Sequence, residues 1–317
     1  MRIIDSHLHV NFKKFGVKDI INYLNKNNID KCVLLTWDEL NPPIHSIYRS
    51  LPIDDVYEAF KQYPHRIIPF YAPDPYRDDF IDRFNIYVEK GIRGFGELKS
   101  TIRWDNNAFD ILLPYLAKNK LPILFHMEEK RQHYVPQQES ILQQKIEKIM
   151  NGAYNGVLRH YIDIFVEKTG LFKKSIYNQC IFFPGYLLGF CELEDRLAKN
   201  KNVKIIAHGP HFWNNISADY KSFEKTNKGR INSFGAIDRL LLNYSNLYAD
   251  LSGISGFNAI SRDKPKAKVF LEKHYKKLLY GTDNYDLGLK ELILSFNLPK
   301  NKTEAIFSKN AEKIIEI

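Results

Sequence analysis

The run Arg2-Ile3-Ile4-Asp5-Ser6-His7-Leu8-His9-Val10 stands at the head of the chain. It opens apolar, and a short apolar run of this kind suits a strand buried in a parallel sheet. It ends in two histidines spaced by one residue. Alternate side chains of a strand share a face, so residues 7 and 9 can aim two imidazoles at one point just beyond the strand. Two neutral imidazoles that converge there make half of a transition-metal site.

The same grammar recurs downstream. Pro122-Ile123-Leu124-Phe125 ends in His126, Val203-Lys204-Ile205-Ile206-Ala207 ends in His208, and Leu278-Leu279-Tyr280-Gly281-Thr282 ends in Asp283. An apolar run closed by one polar residue is how a catalytic position reads at the C-terminal end of a barrel strand. Any one of these could be a satisfied polar residue at a strand end; their coincidence favours a shared site.

The spacing predicts strands over 3–9, 31–37, 66–71, 92–98, 122–126, 203–208, 247–251 and 278–283. Helical segments between them, such as 17–27 and 77–90, give βα order and a parallel sheet. Gly91 follows the second of these helices as a C-terminal stop. Eight strands in that order predict a closed (β/α)8 TIM barrel, and 317 residues suit one such domain over 1–317. The segment 302–317 reads as a closing helix over the barrel exterior. Strand 5 ends at 126 and strand 6 starts at 203, far more than the roughly 30 residues of a βαβ unit. The excess, 128–183, is a helical insertion after strand 5. It reads equally as a lid on the active-site face or as a decoration on the barrel wall or a second subunit.

Composition narrows the class. The apolar fraction is 44%, which argues for a packed core rather than disorder. The three cysteines, Cys32, Cys180 and Cys191, form no CxxC pair, which fits a reducing compartment. No leader pattern and no apolar stretch near 18 residues is found, so a cytoplasmic protein without a membrane partner is expected. The net charge of +9 comes from scattered lysines such as Lys13-Lys14 and Lys276-Lys277. They form no stripe or recognised module, which argues against a nucleic-acid partner.

Taken in order, Asp5-Ser6-His7-Leu8-His9, Leu124-Phe125-His126, Ile206-Ala207-His208-Gly209, Tyr248-Ala249-Asp250-Leu251-Ser252 and Tyr280-Gly281-Thr282-Asp283 resemble the amidohydrolase superfamily. The chain is most similar to its amidohydrolase-2 branch of hydrolases and non-oxidative decarboxylases. The resemblance implies that His7, His9, His126, His208 and Asp283 surround one or two divalent metals, and that the protein dimerises. Glu97, in Gly94-Phe95-Gly96-Glu97-Leu98-Lys99, stands where binuclear members carry a bridging carboxylate or carboxylated lysine. Many amidohydrolase-2 members lack it, and Glu97 could instead pair with Lys99 or Arg93. The Gly96-Glu97-Leu98 run also resembles the TatD-type branch, which includes nucleases.

Histidine nitrogens with a carboxylate suit Zn2+, with Mn2+, Fe2+ and Co2+ as competitors. A bound Zn2+ brings the pKa of its water towards about 7. Asp283 is then expected to act as general base and later acid. His208 is expected to ligate the metal or to hydrogen-bond the substrate carbonyl. Lys99, Arg93 and Arg103 lie on or just after strand 4 and could recognise a carboxylate. Trp37, His211 and Trp213 could form an aromatic wall. Asn284, Tyr285 and Asp286 could orient the strand-8 acid. The first reading is a metal-dependent hydrolase that cleaves a C–N or C–O bond of a small, carboxylated substrate. The second is a metal-dependent decarboxylase. A TatD-like nuclease and a non-catalytic metal-binding barrel stand behind both.

Overall fold

The structure is a computed structural model that describes residues 1–12, 15–37, 51–135, 179–220 and 227–316. Its strands are β1 (Ile4–Leu8), β2 (Lys31–Leu34), β3 (Ile67–Pro69), β4 (Phe95–Leu98), β5 (Ile123–His126), β6 (Arg131–Val135), β7 (Gln179–Phe183), β8 (Ile205–His208), β9 (Leu247–Asp250) and β10 (Leu278–Leu279). All pair in parallel except β6 and β7, which form an antiparallel hairpin. The order is β1-β2-β3 in one sheet and β10-β9-β8-β5-β4 in another. Two seams join them. Tyr71 bridges to Phe95 beside β3 and β4. On the other side Ser6 N donates to Tyr280 O at 2.8 Å, and Asp283 N donates to His7 O at 2.7 Å. The eight parallel strands therefore close into a (β/α)8 barrel.

Helices α1 (Val17–Lys26), α2 (Ile53–Gln62), α3 (Phe80–Glu89), α4 (Ala108–Asn119) and α5 (Phe190–Lys199) precede β2, β3, β4, β5 and β8. The second half carries α6 (Pro210–Asn214), α7 (Ala236–Asn243), α8 (Gly253–Ser261), α9 (Lys264–His274), α10 (Leu289–Ser295), α11 (Lys300–Glu304) and α12 (Asn310–Ile315), the last two joined by a π-turn at Ala305–Lys309. The outer helices are amphipathic. In α1, Ile20 and Leu24 are buried while Asp19 and Lys26 occupy the first and last turns, as the helix dipole favours. Gly91 adopts a left-handed φ of 105° just after α3, the stop the sequence predicts.

Two apolar clusters separate the layers. The larger one, with Phe95, Leu98, Phe125 and Ala207, packs strands against helices. The smaller one joins Ile4, Val33, Leu35, Ile68, Phe70, Leu124, Ile206, Tyr248 and Leu279, which alternate with the helix-facing positions and so fill the barrel interior. Ala311, Ile314 and Ile315 belong to this inner cluster. The C-terminal segment, expected over the barrel exterior, thus packs its apolar face against the interior layer at the end opposite the histidines. The cause is its hydrophobic stripe at 311, 314 and 315, which has the i, i+3, i+4 spacing of one helix face. Ile314 is 1% exposed. Ile314→Ala is expected to cost about 2–5 kcal/mol through lost burial and a residual cavity, read as a lower urea midpoint at unchanged slope.

The insertion is described only at its base, where β6 and β7 pair from Arg131↔Phe183 to Val135↔Gln179. Whether it forms a lid or a decoration is decided by 136–178, outside the described residues.

Candidate metal centre

The C-terminal ends of β1, β4, β5, β8 and β9, with the turn after β10, bring His7, His9, Glu97, His126, His208, Asp250 and Asp283 together. All but Asp283 are at least 95% buried, and the side chain of Asp283 is 18% exposed. Strict alternation explains His126, His208 and Asp250, which continue the inward rows of Leu124, Ile206 and Tyr248. It does not explain His7. Asp5 faces outward, where Tyr23 of α1 donates to its Oδ2 at 3.1 Å. His7 should share that face. The register of β1 against β2 is irregular between Asp5 and Leu8, and this lets both His7 and His9 turn inward. A matching irregularity between Phe95 and Leu98 admits Glu97.

Each histidine ring is held on one side and open on the other. His7 Nδ1 donates to Asp250 Oδ2 and His208 Nδ1 to Asp250 Oδ1, both at 2.8 Å. His9 Nδ1 donates to the Leu35 carbonyl at 2.9 Å, and His126 Nε2 to Glu128 Oε2 at 3.0 Å. With those nitrogens committed as donors, the lone pairs of His7, His9 and His208 Nε2 turn to the centre, and His126 Nδ1, which donates to Glu97 Oε1 at 2.8 Å, offers one there once it gives up that proton. There His7 Nε2 and His9 Nε2 lie 3.1 Å apart. Two lone pairs at that distance repel unless a proton or a metal cation joins them.

Glu97 stands between two histidine pairs. Its Oε2 is 3.6 Å from His7 Nε2 and 3.4 Å from His9 Nε2. Its Oε1 is 2.8 Å from His126 Nδ1 and 3.8 Å from His208 Nε2. Two clusters of metal-ligating atoms, His7–His9–Glu97 and Glu97–His126–His208, share this one carboxylate. Among the described residues Glu97 Oε2 lacks a hydrogen-bond donor in good geometry, and Lys99 Nζ faces it as an ion pair at 3.0 Å. Asp283 Oδ1 lies 3.4 Å from His9 Nε2 and 3.9 Å from His7 Nε2. A buried carboxylate oxygen facing two imidazoles, and inward lone pairs with each ring steadied by an outer acceptor, fit a divalent metal.

The electrostatics agree. Burial opposes the charge of Glu97, but Lys99, His7 and His126 outweigh it and hold its pKa well below the usual carboxylate value. Burial likewise opposes the charge of Asp250 and Asp283, and their histidine neighbours keep both carboxyls lowered. His7 is pushed the other way: burial disfavours its proton, yet Asp250 and Glu97 raise its pKa well above the ordinary value. In the absence of metal these neighbours favour a proton on His7, and a metal ion bound there would displace it.

Several supports hold this geometry. Trp213 Nε1 donates to the Asp250 carbonyl at 2.8 Å, and the Ser252 hydroxyl donates to Asp250 Oδ1. Asn284 clamps the backbone of His9, accepting from its N–H at 2.8 Å and donating to its carbonyl at 2.9 Å. Gly209 has φ 105°, and a Cβ there would meet the Met127 carbonyl at 2.4 Å; only glycine allows the chain after His208 to pass so close. At Gly253 a Cβ would come within 3.0 Å of Asp283 Oδ2.

Of the expected substrate residues, the structure brings Lys99 and Trp37 to the centre. Lys99 Nζ sits 3.7 Å from the Trp37 ring centroid, and that ring lies 4.9 Å from His9. His211 follows β8 and faces Glu129 at 2.6 Å, with Phe190 and Tyr220 beside it. The structure does not bring the two arginines to the centre. Arg93 precedes β4, at the end of the strand remote from the histidines, and is exposed. Arg103 points to solvent and pairs with Asp105 and Glu192. A strand's two ends lie on opposite faces of the barrel, which removes Arg93 from the site; Arg103 follows the site end of β4 but is turned away towards Asp105 and Glu192.

Two site residues were missed as such. In the sequence Asp250 stands out only as part of its strand run, because its simultaneous hold on His7 and His208 depends on strands far apart in sequence. For Glu128 the sequence does carry a signal, its spacing of two from His126, which puts both on the same face.

No protein-family model and no curated protein matches the sequence. The fold does have solved counterparts. A probable 2-pyrone-4,6-dicarboxylic acid hydrolase from Acinetobacter baumannii, solved with citric acid bound, has TM-score 0.56 at 12% identity and covers 100% of both chains. A 2,6-dihydroxybenzoate decarboxylase from Rhizobium has TM-score 0.54 at 13% identity, covering 100% of this chain and 99% of its own. An amidohydrolase from Burkholderia multivorans with bound zinc has TM-score 0.52 at 10% identity and covers 100% of both chains. The resemblance seen in the sequence motifs thus extends to the fold of the whole chain. No helix among the described residues is long and apolar enough to cross a membrane.

Proposed function

We propose that this chain is a metal-dependent hydrolase that cleaves a C–N or C–O bond of a small, carboxylated substrate. The observation that carries the reading is the pair of histidine clusters sharing Glu97, each inward nitrogen backed by an outer acceptor. His7, His9, Glu97 and Asp283 would hold one divalent ion, and Glu97, His126 and His208 a second, with Zn2+ the best match to the donors. When bound, such ions polarise a substrate carbonyl and make water available as hydroxide near neutral pH.

The chain's own groups supply the rest. Asp283 is the most accessible acid of the centre and is held ionised. It takes the proton of the attacking water on a carboxylate oxygen and returns it to the leaving nitrogen or oxygen. Asp250 and Glu128 fix the tautomers of three rings, so no histidine need reorganise during the reaction. Lys99, against the face of Trp37, is the cation best placed to meet a substrate carboxylate. The solved counterparts named for a dicarboxylic acid and for a dihydroxybenzoate support a carboxylated substrate.

The test is elemental analysis of protein purified without chelator or a metal-binding tag, followed by assays on ester, lactone and amide carboxylates and on aromatic acids. About two ions per chain and metal-dependent hydrolysis are expected. Metal-dependent release of carbon dioxide from aromatic acids, without hydrolysis, would replace hydrolase by decarboxylase. A metal content near zero that Zn2+ and Mn2+ cannot restore would overturn the reading.

A further inference from the structure

We propose that Lys99 is the resident cation of the metal-free centre, holding the Glu97 oxygen that a metal ion would take and opposing the ion's entry. The inference rests on the metal-dependent reading above and concerns one oxygen atom. Glu97 Oε2 is the atom that faces both His7 Nε2 and His9 Nε2, and it is the atom 3.0 Å from Lys99 Nζ. Glu97 is fully buried and Lys99 is 5% exposed, so water screens little between them.

A buried carboxylate without a counter-charge is strongly destabilising. In the metal-free protein Lys99 provides that counter-charge from two residues further along the chain, just past the end of β4. A zinc ion on Glu97 Oε2 would approach to about 2.0–2.2 Å, far closer than the ammonium stands. The two cations would then share one oxygen and repel each other in a site of low dielectric. The ammonium has an alternative place to rest, since it already lies 3.7 Å from the Trp37 ring centroid, where cation–π attraction retains it. Lys99 thus stabilises the metal-free protein and weakens metal binding by the same contact.

Lys99→Met keeps the aliphatic stem against Trp37 and removes the charge; Lys99→Arg keeps the charge. The experiment is Zn2+ affinity by chelator competition on wild type and both variants, with thermal melting of the metal-free proteins. Lys99→Met is expected to bind Zn2+ about tenfold more tightly or better and to melt several degrees lower without metal, while Lys99→Arg stays near wild type in both. Equal or weaker Zn2+ affinity in Lys99→Met, with wild type binding normally, would overturn this inference and leave the metal reading standing. Failure of wild type itself to bind Zn2+ would remove both. If Lys99→Met does not fold without metal, its Zn2+-loaded form is transferred to chelator instead. Slower release than wild type supports the role, and unchanged release rejects it.

Discussion

Asp283→Asn is expected to lower turnover by about 10²–10⁴-fold, the range lost with a positioned general base, in a protein that remains folded. The amide is nearly isosteric with the carboxylate, and the backbone contact that seats this residue, Asp283 N–H to the His7 carbonyl at 2.7 Å, does not involve the side chain. Four metal-facing histidines and Glu97 also remain, so most of the metal should be retained. What is lost is the capacity to accept a proton. Asp283 is the one acid of the centre with appreciable exposure, whereas Glu97 and Asp250 are sealed behind the rings. It is also held ionised against its burial by His9, His7 and His208. The measurement is kcat and KM on the best substrate from the hydrolase assays, with metal content determined on the same preparation. A fall in kcat with metal content preserved assigns the proton transfer to Asp283. Near-normal kcat would reject that role, and a parallel loss of metal would make Asp283 chiefly a ligand.

The positions of the chemistry were more legible than its wiring. His126, His208 and Asp283 each close an apolar run, and a barrel turns such strand ends to one face whatever lies between them. His7 and His9 were legible as a pair, though for a reason that alternation alone does not supply. Asp5 faces α1, and the irregular register between Asp5 and Leu8 is what brings His7 round to join His9. Such an irregularity arises from pairing with β2 and leaves no mark in the residues of β1. The same holds for Glu97, between two helix-facing residues, Phe95 and Leu98, spaced by three. The open choice at Glu97 between metal ligand, Lys99 partner and Arg93 partner resolves in part: Arg93 lies at the wrong end of the strand, while Lys99 and both histidine pairs are in reach. Asp250 shows what sequence order hides. Its two oxygens serve histidines from β1 and β8, which only the closed barrel places on either side of it.

The sharing of Glu97 leads to the second large effect. Glu97→Gln is expected to reduce bound metal from about two ions per chain to one or fewer and to lower turnover by orders of magnitude, since a bridged two-ion centre cannot keep its spacing without the bridge. The substitution preserves volume but exchanges one anionic oxygen for an amide that can donate. That amide would meet either His126 Nδ1, now 2.8 Å from Oε1, or the Lys99 ammonium, now 3.0 Å from Oε2. In the first orientation its N–H satisfies the histidine lone pair that metal should occupy; in the second it faces a like donor. Either way one cluster loses its ligand. Asp250→Asn offers a contrast, because it disturbs the outer hold on His7 and His208 without removing a metal-facing atom. It should weaken affinity by about 10–100-fold at unchanged stoichiometry. The two variants therefore separate ligand from support: elemental analysis at saturating Zn2+ reads the first, and chelator competition reads the second. Full occupancy of two sites in Glu97→Gln would show that the histidines hold both ions unaided and that the shared carboxylate serves only to balance Lys99.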